Sequence, residues 1–237
     1  MATKCVKSRT RPAYTFIGKN NFLLEKFVIS MKICNFAPEI SFTMSLGITV
    51  NRKKNGALLA YIAKNVPNIS LRKLLKIVYL IDEKFMKLRG FPLTWFDYYA
   101  WAKGPVAPEV YEVKNGAFAE YVTCHKNSEG TNIIDAVLSH PYLVLKQMDL
   151  YSSYEMGIID QIVCECENAT ADELSELTHR ENTLWSQVVK EECVEFVDGK
   201  SDVQIPLTRL NDGDAEKEET YEEALEYMQF CNATAVC

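Results

Sequence analysis

Between a serine and a glycine, the stretch "SLRKLLKIVYLIDEKFMKLRG", Ser70 to Gly90, carries the signals of a complete helix. Ser70 can accept a hydrogen bond from an open backbone N–H of the first turn, and Gly90 can take the left-handed conformation that ends the last one. Leu71, Leu74, Leu75, Ile77, Val78, Leu80, Ile81, Phe85 and Leu88 run most of the way round the cylinder. A helix apolar on nearly every side belongs in the middle of a domain, so this segment fixes what the rest of the chain must do: cover it. Asp82 interrupts that surface, in line with Val78 and Phe85. A buried carboxylate without donors costs roughly several kcal/mol, so Asp82 is expected to hold a neighbouring loop by hydrogen bonds.

The flanking segments supply the cover. "KKNGALLAYIAKNV", from Lys53, places Leu58, Leu59, Ile62 and Val66 at helical spacing until Pro67 stops it. "EYVTCHKNSEGTNIIDAV" alternates imperfectly around "KNSEG", the pattern of a two-stranded hairpin. A helix is expected from Ser152 to Glu167, and "TADELSELTHRENTLWSQVVKEE" opens with a capping box, Thr170 and Glu173. "DVQIPL" is a short extended piece. In "EETYEEALEYMQF", Thr220 and Glu223 form a second possible box, with Tyr221, Ala224, Leu225 and Met228 as one apolar stripe. The expectation is a mainly α fold, a compact helical domain over residues 53–230 with a small β-hairpin as its minor β component.

The stretch "YYAWAKGPVAPEVYE", Tyr98 to Glu112, is unlike its surroundings. Tyr98, Tyr99 and Trp101 would alternate sides in an extended run, each an apolar body with a polar handle. Gly104 permits a tight change of direction and can adopt the extended conformation that a pre-proline residue prefers, Pro108 is expected in the first turn of a helix closed by Gly116, and Lys103 near Asp82. The stretch is foremost a device for entering a helix, and secondly an anchor for a partner, as stiff aromatic loops often are.

Composition narrows the function classes. With 48% apolar residues in 237 there is enough material for a core, and a net charge of −6 opposes non-specific binding of nucleic acid by the main domain. Residues 1–45 differ: Lys4, Lys7, Arg9, Arg11, Lys19, Lys26 and Lys32 face only Glu25 and Glu39, with no sustained period. They are expected to be a basic disordered tail or an upstream extension, and a regulator that binds nucleic acid through this arm is an alternative function. No apolar run reaches the roughly 18 residues of a membrane helix, and "FLLEKFVISMKICNF" breaks the run a signal peptide needs, so a cytoplasmic protein with no membrane partner is expected. Eight cysteines in a chain of that kind are expected reduced, and "CEC" lacks metal spacing, as do His125, His140 and His179. A hydrolase built on Asp82, His125 or His179 is the weakest alternative, since no nucleophile elbow, metal spacing or phosphate loop accompanies them.

Three stretches together resemble the Panacea domain, the SocA-like antitoxin or phage-associated family. Lys73, Leu74, Lys76, Tyr79 and Asp82 fall on its first motif; Trp101, Gly104, Pro105, Val106, Val110 and Tyr111 on its second; Leu174, Ser175, Thr178, His179 and Trp185 on its third. The similarity runs over roughly Asn55 to Lys190. Ala102-Lys103 departs from the aromatic or basic pair usual in the second motif. The resemblance implies a helical interaction module of mobile elements and prophages that binds a cognate toxin encoded beside it. Neutralisation would proceed by sequestration or by delivery to a cellular protease, with no enzymatic reaction; from the residues themselves no cofactor, metal or catalytic residue is expected. On it, Lys73, Tyr79, Asp82, Trp101, Lys103, Gly104, Pro105, Val106, Tyr111, Thr178, His179 and Trp185 are the structural or partner-binding candidates.

Overall fold

In the computed structural model of the protein, residues 51–137 and 150–234 are described. The expectations for the basic segment 1–45 fall outside them, as does that for His140. Helix α1 spans Arg52–Asn65 and is capped by Asn51, whose side chain accepts from Lys54 N–H at 2.9 Å. It ends just before Pro67. Helix α2, Leu71–Arg89, starts on Ser70, which accepts from Lys73 N–H, and stops on Gly90 at φ 82°. Eleven of its 19 residues are buried, enough to make it the central helix of the described residues. Leu88, part of the expected apolar surface, is 48% exposed instead. It lies in the last turn, where the helix emerges from its neighbours.

Strands β1, Tyr99–Trp101, and β2, Gly104–Val106, pair antiparallel through a two-residue turn, Ala102-Lys103. This is a second hairpin where one was expected. Pro105 conceals it in the sequence, since a proline cannot donate to a ladder and ordinarily argues against a strand. The other edge of β1 compensates: Ala100 N–H donates to Val203 O at 2.9 Å and Ile205 N–H donates to Tyr98 O at 2.7 Å, which ties down the extended "DVQIPL" piece. Pro108 then opens the short helix α3, Pro108–Tyr111, continued by a 3-10 turn to Asn115 and closed by Gly116 at φ 95°.

The expected hairpin is β3, Val122–Lys126, with β4, Asn132–Ala136. It docks through Ile134 N–H on Ile69 O, in the α1–α2 connection. Helix α4, Ser153–Cys166, and helix α5, Ala171–His179, both open with reciprocal capping boxes, Ser152 with Glu155 and Thr170 with Glu173. Thr183 caps α6, Leu184–Glu191.

The last helix, α7, Ala215–Thr234, corrects the Thr220–Glu223 box. The helix has already begun at Asp214, whose carboxylate accepts from Lys217 N–H, and Thr220 lies inside it, donating to Glu216 O. A Thr-x-x-Glu pattern marks a start only if no earlier cap has been used. Tyr221, Ala224, Leu225 and Met228 do pack on the core. With α1, α4, α5 and β2 against α2, the described residues form a mainly α fold with two small antiparallel sheets.

Candidate functional site

The three motifs meet at the β1–β2 hairpin. Lys76 rises from the middle of α2, 1% exposed, and its Nζ donates to Pro105 O at 3.0 Å. Among the described residues no carboxylate pairs with it. Burial, helped by nearby Arg72, lowers its pKa to about 7. An ammonium taken out of water with one carbonyl as acceptor is driven towards the neutral amine.

Gly104 sits directly over this lysine at φ 101°, a value open to glycine, at the tight change of direction expected there. The close approach explains the glycine: a Cβ there would lie 2.5 Å from Lys76 Nζ and 2.7 Å from Thr178 Oγ1. The third motif thus arrives at the same point. Thr178 Oγ1 donates to Ser175 O, and Thr183 Oγ1 donates to Thr178 O at 2.7 Å, fixing the passage from α5 to α6. Trp185 Nε1 donates to Trp101 O at 3.1 Å, which latches α6 to β1. On the Trp185 ring lies His179, centroids 3.9 Å apart and 18° from parallel. Its Nε2 is buried without a hydrogen-bond partner. Burial first, then Lys76 and Lys103, lower its pKa, so the neutral imidazole is favoured.

Asp82 lies further along α2, fully buried, and holds the loop after the helix as expected. One oxygen accepts from Leu93 N–H and Thr94 N–H, both at 2.9 Å; the other accepts from Thr94 Oγ1 and from Tyr98 OH at 2.7 Å. Burial nonetheless holds its carboxyl above the ordinary value. Tyr98 meets Tyr79 edge to face at 5.2 Å. Lys103 is not in this network: it is exposed at the hairpin tip, since every donor to Asp82 comes from residues 93–98.

Lys73 is also elsewhere, donating to Glu167 O at the end of α4. Lys76, which falls on the same motif, is the lysine beneath the hairpin. The signal was present in the sequence, a lysine inside the unbroken apolar run "LLKIV". Nor do the histidines gather: His125 pairs with Asp135 across the β3–β4 hairpin at 2.7 Å, His179 stacks on Trp185, and neither touches Asp82. Among the described residues no group of His, Cys, Asp and Glu side chains is placed to hold a metal ion.

The outer side of the hairpin is aromatic. Trp101 and Tyr111 meet edge to face at 4.7 Å, and Val106, at the end of the hairpin away from the turn, is buried.

Residues 74–186 match the family described as antitoxin SocA-like, Panacea domain. This stretch is a SocA-like Panacea domain. The match contains every candidate from Tyr79 to Trp185, while Lys73 lies one residue before it. No curated protein and no solved structure matches the chain. In this Panacea domain the shared motifs build a packing hub: α2 contributes Lys76, the hairpin Gly104 and Pro105, and the α5–α6 segment Thr178, His179 and Trp185.

Proposed function

We propose that the protein is an antitoxin that works by stoichiometric binding of a cognate toxin encoded beside it, without catalysis. The match of residues 74–186 to the SocA-like antitoxin family supports an antitoxin-type role in general. The single observation behind the mode of action is how the motif side chains are engaged. Asp82 accepts four hydrogen bonds from one loop, Lys76 and Gly104 fill each other's space, and Trp185 is latched to Trp101. Groups so committed shape a rigid surface, and recognition needs such a surface more than it needs a reactive pair.

The toxin is bound in the cytoplasm, where it is held inert or handed to a cellular protease. No helix of the described residues is long and apolar enough to cross a membrane. Co-expression with the product of the neighbouring gene is expected to restore growth in proportion to the amount of antitoxin. His125→Ala, His179→Ala and Cys164→Ser, each made singly, are expected to rescue as well as the wild type. Rescue at a small fraction of the toxin's amount in cells lacking the protease, lost on one histidine substitution in a folded protein, would establish catalysis and end this reading. A protease-deficient host separates the two modes: sequestration persists there and delivery does not.

A further inference from the structure

The tip of the β1–β2 hairpin opens onto a face whose charge runs against that of the chain. Lys114 Nζ lies 3.7 Å from the centre of the Tyr111 ring, and Lys200 Nζ lies 4.9 Å from Trp101 and 5.2 Å from Tyr111. Lys103 stands exposed in the two-residue turn of the same hairpin, two residues after Trp101. Arg52, Lys54, Arg72, Lys87, Arg209 and Lys217 each pair with a carboxylate. Lys103, Lys114 and Lys200 pair with none among the described residues. Glu112, beside this group, is engaged by Asn115 Nδ2 at 2.6 Å. In a chain of net charge −6, Lys114 and Lys200 on one aromatic pair, with Lys103 exposed in the adjoining turn, gather three open ammonium groups, against which Glu112 and the exposed Asp198 of the Val197–Lys200 turn stand as carboxylates.

The face is also held in shape. Val197 and Lys200 exchange backbone hydrogen bonds around a tight turn, and Gly199 O accepts from Ala102 N–H at 3.0 Å, so that turn is clamped to the hairpin tip. Val197, 74% exposed, adds an apolar contact beside the lysines. Resting on the rings, Lys114 and Lys200 have less freedom to lose when an anion arrives, and each ammonium keeps hydrogens to donate outward.

We infer that this face, Lys103, Lys114 and Lys200 around Trp101 and Tyr111 with Val197 at its edge, receives an acidic segment of the toxin that also carries apolar side chains. The inference rests on the antitoxin reading and adds the chemistry of the contact. The toxin's carboxylates go to the three lysines and an apolar side chain goes to Val197. Nucleic acid fits less well. Sequence-tolerant binding of single strands uses open aromatic faces for base stacking, and here lysines lie on both rings. An acidic chain also repels a phosphate backbone.

The test uses the full chain and the purified product of the neighbouring gene, titrated at several salt concentrations. The triple variant Lys103→Glu, Lys114→Glu, Lys200→Glu is expected to lose at least about tenfold in affinity, with a flatter salt dependence, as reversal of clustered interface charges produces. A control, Lys64→Glu with Lys126→Glu, changes the charge on exposed sites elsewhere and is expected to stay within about twofold of wild type. A short synthetic peptide rich in Glu and Leu should compete for the wild type and fail against the triple variant, while oligothymidylate should compete for neither. Circular dichroism melts establish that each variant is folded, and single Lys→Gln variants serve if the triple is not. Wild-type affinity in a folded triple variant overturns the inference and leaves the antitoxin reading intact. Competition by oligothymidylate alone, or self-association of the wild type that the triple variant lacks, also overturns it by naming another occupant. If the wild type neither binds the neighbouring product nor rescues growth, the antitoxin reading falls and this inference with it.

Discussion

Asp82 and Lys76 are buried charged residues on one helix, α2, and their surroundings differ in kind. Asp82 has four donors from three residues of a single loop; Lys76 has one acceptor, a carbonyl of the β1–β2 hairpin. They do not pair with each other. Around Asp82 the polar groups were brought together by a short local connection, the loop that follows the helix. Around Lys76 they come from three separate parts of the chain, and none brings a carboxylate. The carboxyl therefore organises a loop, whereas the amine is covered by a hairpin that fits over it, and burial lowers its pKa to about 7.

The contrast breaks if Asp82 proves dispensable. Asp82→Leu takes the acceptor from two buried N–H groups, the Thr94 hydroxyl and the Tyr98 phenol, at about 1–3 kcal/mol for each unsatisfied group, so a loss of at least about 3 kcal/mol in urea unfolding is expected. Asp82→Asn, which keeps one oxygen and the shape, should fall between the two. Equal stability of wild type and Asp82→Leu would remove the organising role.

Gly104→Ala comes next. It places a methyl group against Lys76 Nζ and Thr178 Oγ1 at a left-handed φ, and a loss of about 1–3 kcal/mol is expected from such a strained site. Calorimetry on the single variant and on Gly104→Ala with Lys76→Ala reads the clash directly: the double variant should recover part of the loss. Additive effects would show that backbone strain alone makes the glycine necessary.

His179→Ala should cost about 1 kcal/mol, the stacking on Trp185, while leaving the emission of a hub tryptophan measurably altered. An unchanged unfolding midpoint and spectrum would separate His179 from the hub.

At neutral pH the smallest effect belongs to Lys76→Met. Removing a buried amine relieves its desolvation and orphans only the Pro105 carbonyl, so a change within about 1 kcal/mol is expected. The pH dependence sharpens the comparison. The unfolded chain keeps the Lys76 proton up to the ordinary 10.5 and the folded chain only up to about 7, so in between the unfolded state binds more protons and wild-type stability rises with pH. Below that window the penalty is constant. The measurement belongs between pH 7 and 9, before the buried Tyr79, Tyr98 and Tyr151 phenols and the Cys166 thiol, which burial keeps protonated, pull the other way. Lys76→Met should lack this rise; the same slope in both proteins would place the titration elsewhere.

Much of the helical framework was legible, because caps and periodicity act within a few residues. Ser70 and Gly90 bound α2 as their types require, and Thr170 with Glu173 opens α5. Thr220 shows the limit of such patterns, since the same signature occurred inside a helix already begun at Asp214. The β1–β2 hairpin was hidden because Pro105 removes a donor from the strand, and what compensates for it lies about a hundred residues later, at Ser201 and Val203.

The sequence by itself determined that α2 is central, that Asp82 within it needs donors, and that three motifs recur together. Those are consequences of short-range hydrogen bonding and of side-chain polarity, which any chain of this composition would face. Only the tertiary structure decided who meets whom. It set Lys76 rather than Lys73 beneath the hairpin, brought Lys114 and Lys200 to the Trp101–Tyr111 pair, and gave Gly104 a positive φ because a lysine and a threonine already fill the space its Cβ would need. Each of these is a long-range contact, fixed by how a hairpin closes on a helix from which it is separated in the chain, and local sequence carries no record of that distance.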